Sequence, residues 1–232
     1  MLRAVASMGA VLPLLMLGFV LGMRHATDPD HVVAVSTIVS RERTFRGAAL
    51  IGALWGLGHT VTITLVGGAI VAFGLVIPKR VELSMELGVA VMLIVLGAMS
   101  LSGTLRRFHE IAHGDHPHEE QTLVARLGKA GVARALFVGV VHGMAGSAAV
   151  ALLVLTTVRE VTFAMLYLAL FGLGTVAGMV TLTTLLAAPF ALAARRGGEL
   201  TSWLSRATGV ASVVLGAYLV YEIGVVERLF SR

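Results

Sequence analysis

Six long apolar stretches alternate with short polar ones along this 232-residue chain. They cover roughly residues 4 to 40, 47 to 77, 83 to 103, 135 to 158, 161 to 193 and 206 to 226. About 20 apolar residues suffice to cross a bilayer, so each stretch predicts a membrane-spanning helix. The first is too long for one straight crossing, and it is interrupted by Arg24-His25-Ala26-Thr27-Asp28-Pro29-Asp30-His31. Pro29 has no N–H for the carbonyl of His25, and Asp28, as the residue before proline, is pushed away from helical geometry. Asp28-Pro29-Asp30 then reads as a fresh helix start, with Asp28 as N-cap, proline at the first helical position and Asp30 near the positive dipole end. The pattern predicts a first helix discontinuous at Pro29. One half ends near Arg24, the next runs to about Ser40, and the His25 carbonyl is freed as an additional oxygen ligand.

The one sizeable polar segment, residues 104 to 134, divides the chain into residues 1 to 103 and 135 to 232, with three spans on each side. Three is odd, so the halves must be inverted relative to each other, an arrangement common in transporters. The expected fold is therefore an all-α polytopic membrane protein of six transmembrane helices, built as a 3+3 inverted repeat around a His-rich cytoplasmic loop. Sequence echoes agree with this. Trp55-Gly56-Leu57-Gly58-His59-Thr60 resembles Phe171-Gly172-Leu173-Gly174-Thr175, and the segment starting at His25 aligns loosely with His142-Gly143-Met144-Ala145-Gly146-Ser147.

Composition sharpens the picture. The chain is 57% hydrophobic and 13% charged, with a mean hydropathy of +0.90, far above what a soluble domain needs for its core. It has no cysteine, so disulfides and thiolate metal sites are excluded, and a metal would be held by imidazole, carboxylate, carbonyl or thioether. That favours Ni²⁺, Co²⁺ or Zn²⁺ over Cu(I). The net charge of +5 does not point to nucleic acid, because the basic residues sit in short loops between spans. Arg41, Arg43, Arg46, Arg106, Arg107, Arg126, Lys129, Arg134, Arg195, Arg196 and Arg206 fall in the first, third and fifth loops, against Arg3, Lys79, Arg80, Arg159, Arg228 and Arg232 on the other side. The positive-inside rule puts those three loops in the cytoplasm and both termini outside a cell inner (plasma) membrane. Arg3 before an apolar run resembles a signal peptide, but the run is too long and lacks a small-residue cleavage site, so a retained helix is expected.

Ionisable residues at membrane depth mark an ion or substrate path. His25, Asp28 and His31 fall at steps of three, on adjacent helical faces that could converge on one cation; Asp30, five residues from His25, points elsewhere in a regular helix. The bland alternative is a capping aspartate beside hydrogen-bonded core histidines. His59 lies near the middle of the second stretch between Gly58 and Thr60, where a neighbouring helix can approach closely, and His142 has equally compact surroundings in the second half. The metal candidates are thus His25, Asp28, Asp30, His31, His59 and His142. His109, His113, His116 and His118 sit in the polar loop, which reads either as a weak metal-binding antenna or as a solvated linker with a His bias. The ten methionines, Met23 and Met144 included, read as apolar packing. Glu82 and Glu86 suit a helix N-terminus, and Glu222 has no evident partner.

Arg24-His25-Ala26-Thr27-Asp28-Pro29-Asp30-His31-Val32 resembles the signature of the nickel/cobalt transporter (NiCoT) family, a His followed by four positions and then Asp-His. Gly58-His59-Thr60 is similar to that family's Gly-His motif with a small hydroxyl residue. His142-Gly143-Met144-Ala145-Gly146-Ser147 resembles the His-Gly-hydrophobic-Ala-Gly-Ser motif of related urease-accessory-type membrane proteins. Typical members have eight spans and alanine where this chain has Pro29; six spans are similar to the three-plus-three core of the wider lysine-exporter superfamily. The resemblance implies that His25, Asp28, Asp30, His31 and His59 bind and select the metal. It leaves direction open, since the family holds importers and exporters.

The expected function is secondary transport of a divalent transition-metal cation, nickel first and cobalt second, without enzymatic activity. Its partners are the ion and the lipid bilayer. No P-loop is present, so an ion gradient, the membrane potential or a partner must supply the energy. No resident cofactor and no nucleic-acid partner are expected, and homo-oligomerisation is left open. The alternatives are a membrane b-type haem protein with two of His25, His59 and His142 as axial ligands, an intramembrane metallo-hydrolase, for which His-Glu-x-x-His is missing, and a urease- or hydrogenase-linked metal-delivery accessory protein.

Overall fold

A computed structural model describes residues 2–40, 42, 44–103, 128, 131–145, 160–196 and 198–230. Every regular element among them is helical. The chain enters α1 (Leu2–His25), breaks, and resumes as α2 (Pro29–Val39). Next comes α3 (Phe45–Thr62), which passes through a wider π stretch (Ile63–Gly67) into α4 (Gly68–Phe73). After it come α5 (Lys79–Leu101) and α6 (Gly131–Ala145). The last two are α7 (Val161–Arg196) and α8 (Gly198–Tyr221), the latter ending in a π stretch (Glu222–Val226).

The break falls where proline requires it. The last turn of α1 tightens, with Thr27 N–H donating to the Arg24 carbonyl at 2.8 Å and Asp28 N–H to the His25 carbonyl at 3.1 Å. The Thr27 hydroxyl adds a second bond to the Arg24 carbonyl at 2.6 Å, so carbonyls that a helix end leaves open are satisfied locally. The His25 carbonyl, expected as a free oxygen ligand, is therefore already engaged. Asp28 takes an extended backbone, φ −60° and ψ 146°, with Pro29 next to it, but its side chain makes no cap bond. That leaves its carboxylate for another partner.

Among the described residues, four helical stretches are long and apolar enough to cross a membrane: Phe45–Phe73, Lys79–Leu101, Val161–Ala194 and Glu199–Val226. They expose Leu65, Leu173, Leu185, Val214 and Tyr218, large apolar groups that suit lipid rather than water. The first expected span is instead a pair of shorter apolar helices, Leu15–His25 and Pro29–Val39, and the fourth is described only as Gly131–Ala145. Two expected boundaries move. Helix α6 is described from Gly131 onward, within the segment expected as loop, and α8 begins at Gly198, ahead of the apolar stretch expected from near residue 206. Polarity there ends the apolar run, but Glu199 and Arg206 are tolerated in a helix. The loop histidines His109, His113, His116 and His118 lie outside the described residues.

Helix α7 is the central element, with α1 and α3 both packed along it, while α5 pairs with α8. The contacts are backbone to backbone. A Cβ at Gly22 of α1 would overlap the Phe171 carbonyl of α7, and one at Gly174 would overlap the Phe19 carbonyl. Between α6 and α3, a Cβ at Gly139 would overlap the Trp55 carbonyl, and one at Gly58 would come within 2.6 Å of the Leu136 carbonyl. Helices α5 and α8 cross at Gly97, whose Cβ would lie 2.6 Å from the Gly209 carbonyl. Small residues at such seams let membrane helices approach closely. The seams bring the end of α1, the start of α2, the last turn of α3 and the His142 turn of α6 to one point.

Candidate metal centre

His25 is the last residue of α1 and is set by the break. Its Nδ1 lies 2.8 Å from Asp28 Oδ2. A carboxylate only accepts, so the proton sits on Nδ1 and the lone pair of Nε2 is left pointing inward. There it meets His59 Nε2 at 3.1 Å. His59 is fully buried in α3, and its Nδ1 has no hydrogen-bond partner. Two imidazole nitrogens bound to one ion at about 2.0–2.1 Å stand roughly 3 Å apart when their bonds meet near a right or tetrahedral angle. The same 3.1 Å leaves no room for a porphyrin plane between these two rings, so this pair does not fit as axial haem ligands.

The first turn of α2 contributes Asp30 and His31. Asp30 Oδ1 is 3.3 Å from His31 Nδ1, and Oδ2 is 3.3 Å from His142 Nε2 of α6. His31 Nε2 is buried with no partner, and neither ring nitrogen of His142 makes a hydrogen bond of good geometry. Asp30 therefore holds the His31 ring from its Nδ1 side, as Asp28 holds His25. Carboxylate–imidazole pairs of this kind fix the tautomer and orientation of metal-binding histidines.

Together the residues form two overlapping groups of potential ligands, each offering atoms within 4.8 Å of one another: His25, His31 and His59, and Asp30, His31 and His142. Asp28 belongs to neither. The interruption resets the helical phase: the extended Asp28 turns its carboxylate back over α1, while Asp30 in the first turn of α2 comes beside His31. The roles that regular spacing suggested for the two aspartates are in this respect exchanged. Side-chain exposure falls from 48% at Asp28 through 20% at His25 to 2% at His31 and 1% at His142, so the break forms the open side of the cluster.

Two aromatic rings bound the imidazoles, and residue-by-residue reading for ligands missed both. Phe171 of α7 lies 5.6 Å from the His25 ring, and Trp55 of α3 lies 5.3 Å from the His142 ring. Their signal was in the sequence, because Trp55 and Phe171 head the two echoed Gly-rich strings. Such a cluster suits a borderline divalent cation: several imidazoles, one carboxylate within reach, no thiolate, and apolar walls.

No family model matches the chain, and no solved structure matches it. It is 39% identical over 222 residues to the "Urease accessory protein UreH" of Bacillus sp. (strain TB-90), covering 95% of this chain and 96% of that protein. The chain belongs to the UreH family. The aligned length, 222 of 232 residues, extends into both halves of this UreH-family chain.

Proposed function

We propose that this UreH-family protein is a secondary membrane transporter of divalent transition-metal cations, nickel first and cobalt second, related to the nickel/cobalt transporters and within the six-span urease-accessory-like branch of the lysine-exporter superfamily. The observation that carries the reading is the convergence of His25, His31, His59, His142 and Asp30 from α1, α2, α3 and α6 on one buried point. Four imidazoles inside an apolar bundle have no structural task that a leucine would not perform more cheaply. The relative's name links it to urease, a nickel enzyme, which favours Ni²⁺.

A 3+3 inverted repeat, residues 1 to 103 against 135 to 232, fits the packing. Gly22 and Gly139 are 117 residues apart, as are Phe19 and Leu136 and His25 and His142; Trp55 and Phe171, and Gly58 and Gly174, are 116 apart. Under that exchange Gly22 against Phe171 becomes Gly139 against Trp55, and Gly174 against Phe19 becomes Gly58 against Leu136. The ring contact of His25 with Phe171 becomes that of His142 with Trp55. A repeat of this kind, in the inner membrane with both termini outside, supports alternating access by rocking of two halves about a central site.

The test is flux. In proteoliposomes, wild type carries Ni²⁺ down an imposed gradient, and His25→Ala and His31→Ala abolish the signal. Variants that move metal as fast as wild type would sink the reading. A second reading, delivery of metal to urease without translocation, is favoured by the relative's printed name. It predicts binding with no flux.

A further inference from the structure

The two groups of potential ligands share one residue, His31. One is all imidazole, His25, His31 and His59, and the other is mixed, Asp30, His31 and His142. We propose that they are two mutually exclusive positions for a single cation, and that the ion is handed from one to the other across the His31 ring during each transport cycle. The inference rests on the metal-transport reading and adds to it a stoichiometry and an internal step.

Exclusivity follows from the chemistry of one ring. A neutral imidazole has one protonated nitrogen and one lone-pair nitrogen. With its proton on Nδ1, 3.3 Å from Asp30 Oδ1, His31 offers Nε2, which is buried and unpartnered. That state suits the all-imidazole position, where His25 likewise presents Nε2 because Asp28 accepts from its Nδ1. To complete the mixed position through Nδ1, His31 must carry its proton on Nε2, and Asp30 must change from hydrogen-bond acceptor to ligand. Both states cannot hold at once, so filling one position empties the other.

The surroundings fit a handover. Each position adjoins a partly exposed carboxylate, Asp28 (48%) behind His25 in the first and Asp30 (30%) in the second, while the His31 side chain between them is only 2% exposed. The rings of His31 and His142 are 4.5 Å apart and those of His25 and His31 4.8 Å, so His31 is about equally near each side. Phe171 closes the His25 end and Trp55 the His142 end.

The experiment uses the full-length protein in nanodiscs, with His109, His113, His116 and His118 replaced by alanine in every sample, the wild-type centre included, so that the loop adds no ion to the count, and Co²⁺ alone as probe, because its visible absorption reports the ligand set. Equilibrium dialysis should give one Co²⁺ per chain for wild type. His25→Gln should keep one ion, at least about tenfold more weakly, with the spectrum of the mixed carboxylate–imidazole position. His142→Gln should keep one ion with an all-imidazole spectrum, and Asp30→Asn, a change of equal size on a partly exposed side chain, should match it. His31→Gln should bind neither way. In proteoliposomes at saturating Co²⁺, His25→Gln and His142→Gln should each lose flux although they bind. Two ions per wild-type chain, identical spectra in His25→Gln and Asp30→Asn, or loss of all binding in a His25→Gln protein that elutes as wild type would overturn the two-position proposal. Wild type that binds one ion with variant spectra as expected but shows no flux would instead overturn transport.

Discussion

The Nε2 atoms of His25 and His59 face each other 3.1 Å apart, one reaching from α1 and the other from α3, although 34 residues separate them in sequence and the two helices are held together by packing along α7. His25 has its other nitrogen tied to Asp28, and His59 has its other nitrogen buried without a partner. His59→Gln keeps much of the volume and removes the imidazole. Ni²⁺ uptake into proteoliposomes should fall by at least about tenfold, while the elution profile in detergent stays that of wild type.

Asp28 touches no candidate ligand atom except through His25. Asp28→Asn weakens the control of the His25 tautomer, because an amide can donate as well as accept. Metal affinity measured by equilibrium dialysis should drop by about 10- to 100-fold. Thermal stability should change by no more than about 0.5 kcal/mol, since the Asp28 side chain makes no bond to the start of α2.

The glycine seams give a stability test with an internal control. Gly22→Ala and Gly139→Ala each drive a methyl group into a backbone carbonyl and should each cost about 1–3 kcal/mol. Gly88→Ala meets nothing within 4 Å and should leave the unfolding temperature in detergent unchanged or slightly higher. Equal penalties at Gly22 and Gly139 are expected because their surroundings repeat.

The four loop histidines can be separated from the membrane centre. Replacing His109, His113, His116 and His118 together with alanine should leave uptake at saturating Ni²⁺ unchanged. If the loop gathers metal, the loss should appear only at low Ni²⁺, as a higher half-saturating concentration.

Much of this arrangement was legible in the sequence because it depends on local chemistry. Pro29 dictates the break, and ionisable groups in an apolar run mark the stretch from His25 to His31, and His59 beyond it, as the place to look for chemistry. What local reading could not supply was phase and partnership. Regular helical spacing favours Asp28 over Asp30, and only the extended conformation at Asp28, ψ 146°, reverses that. The π stretch at Ile63–Gly67 leaves no mark that distinguishes it from ordinary helix. The start of α8 at Gly198 is hidden because polarity marks the end of an apolar run and not the end of a helix. Trp55 and Phe171 stood out only as the heads of two echoed strings, since an aromatic becomes a wall of a site only through what another helix places beside it.

The indole of Trp55 stacks at 6.1 Å on His31 and lies 5.3 Å from His142, while Trp203, the other of the chain's two tryptophans, is 66% exposed. The protein thus carries a built-in optical gauge. Paramagnetic Ni²⁺ or Co²⁺ arriving beside His31 should quench the emission of the Trp55 indole and spare that of Trp203. In a Trp203→Phe background, one fluorescence trace would time the arrival of the ion at the centre without any attached label.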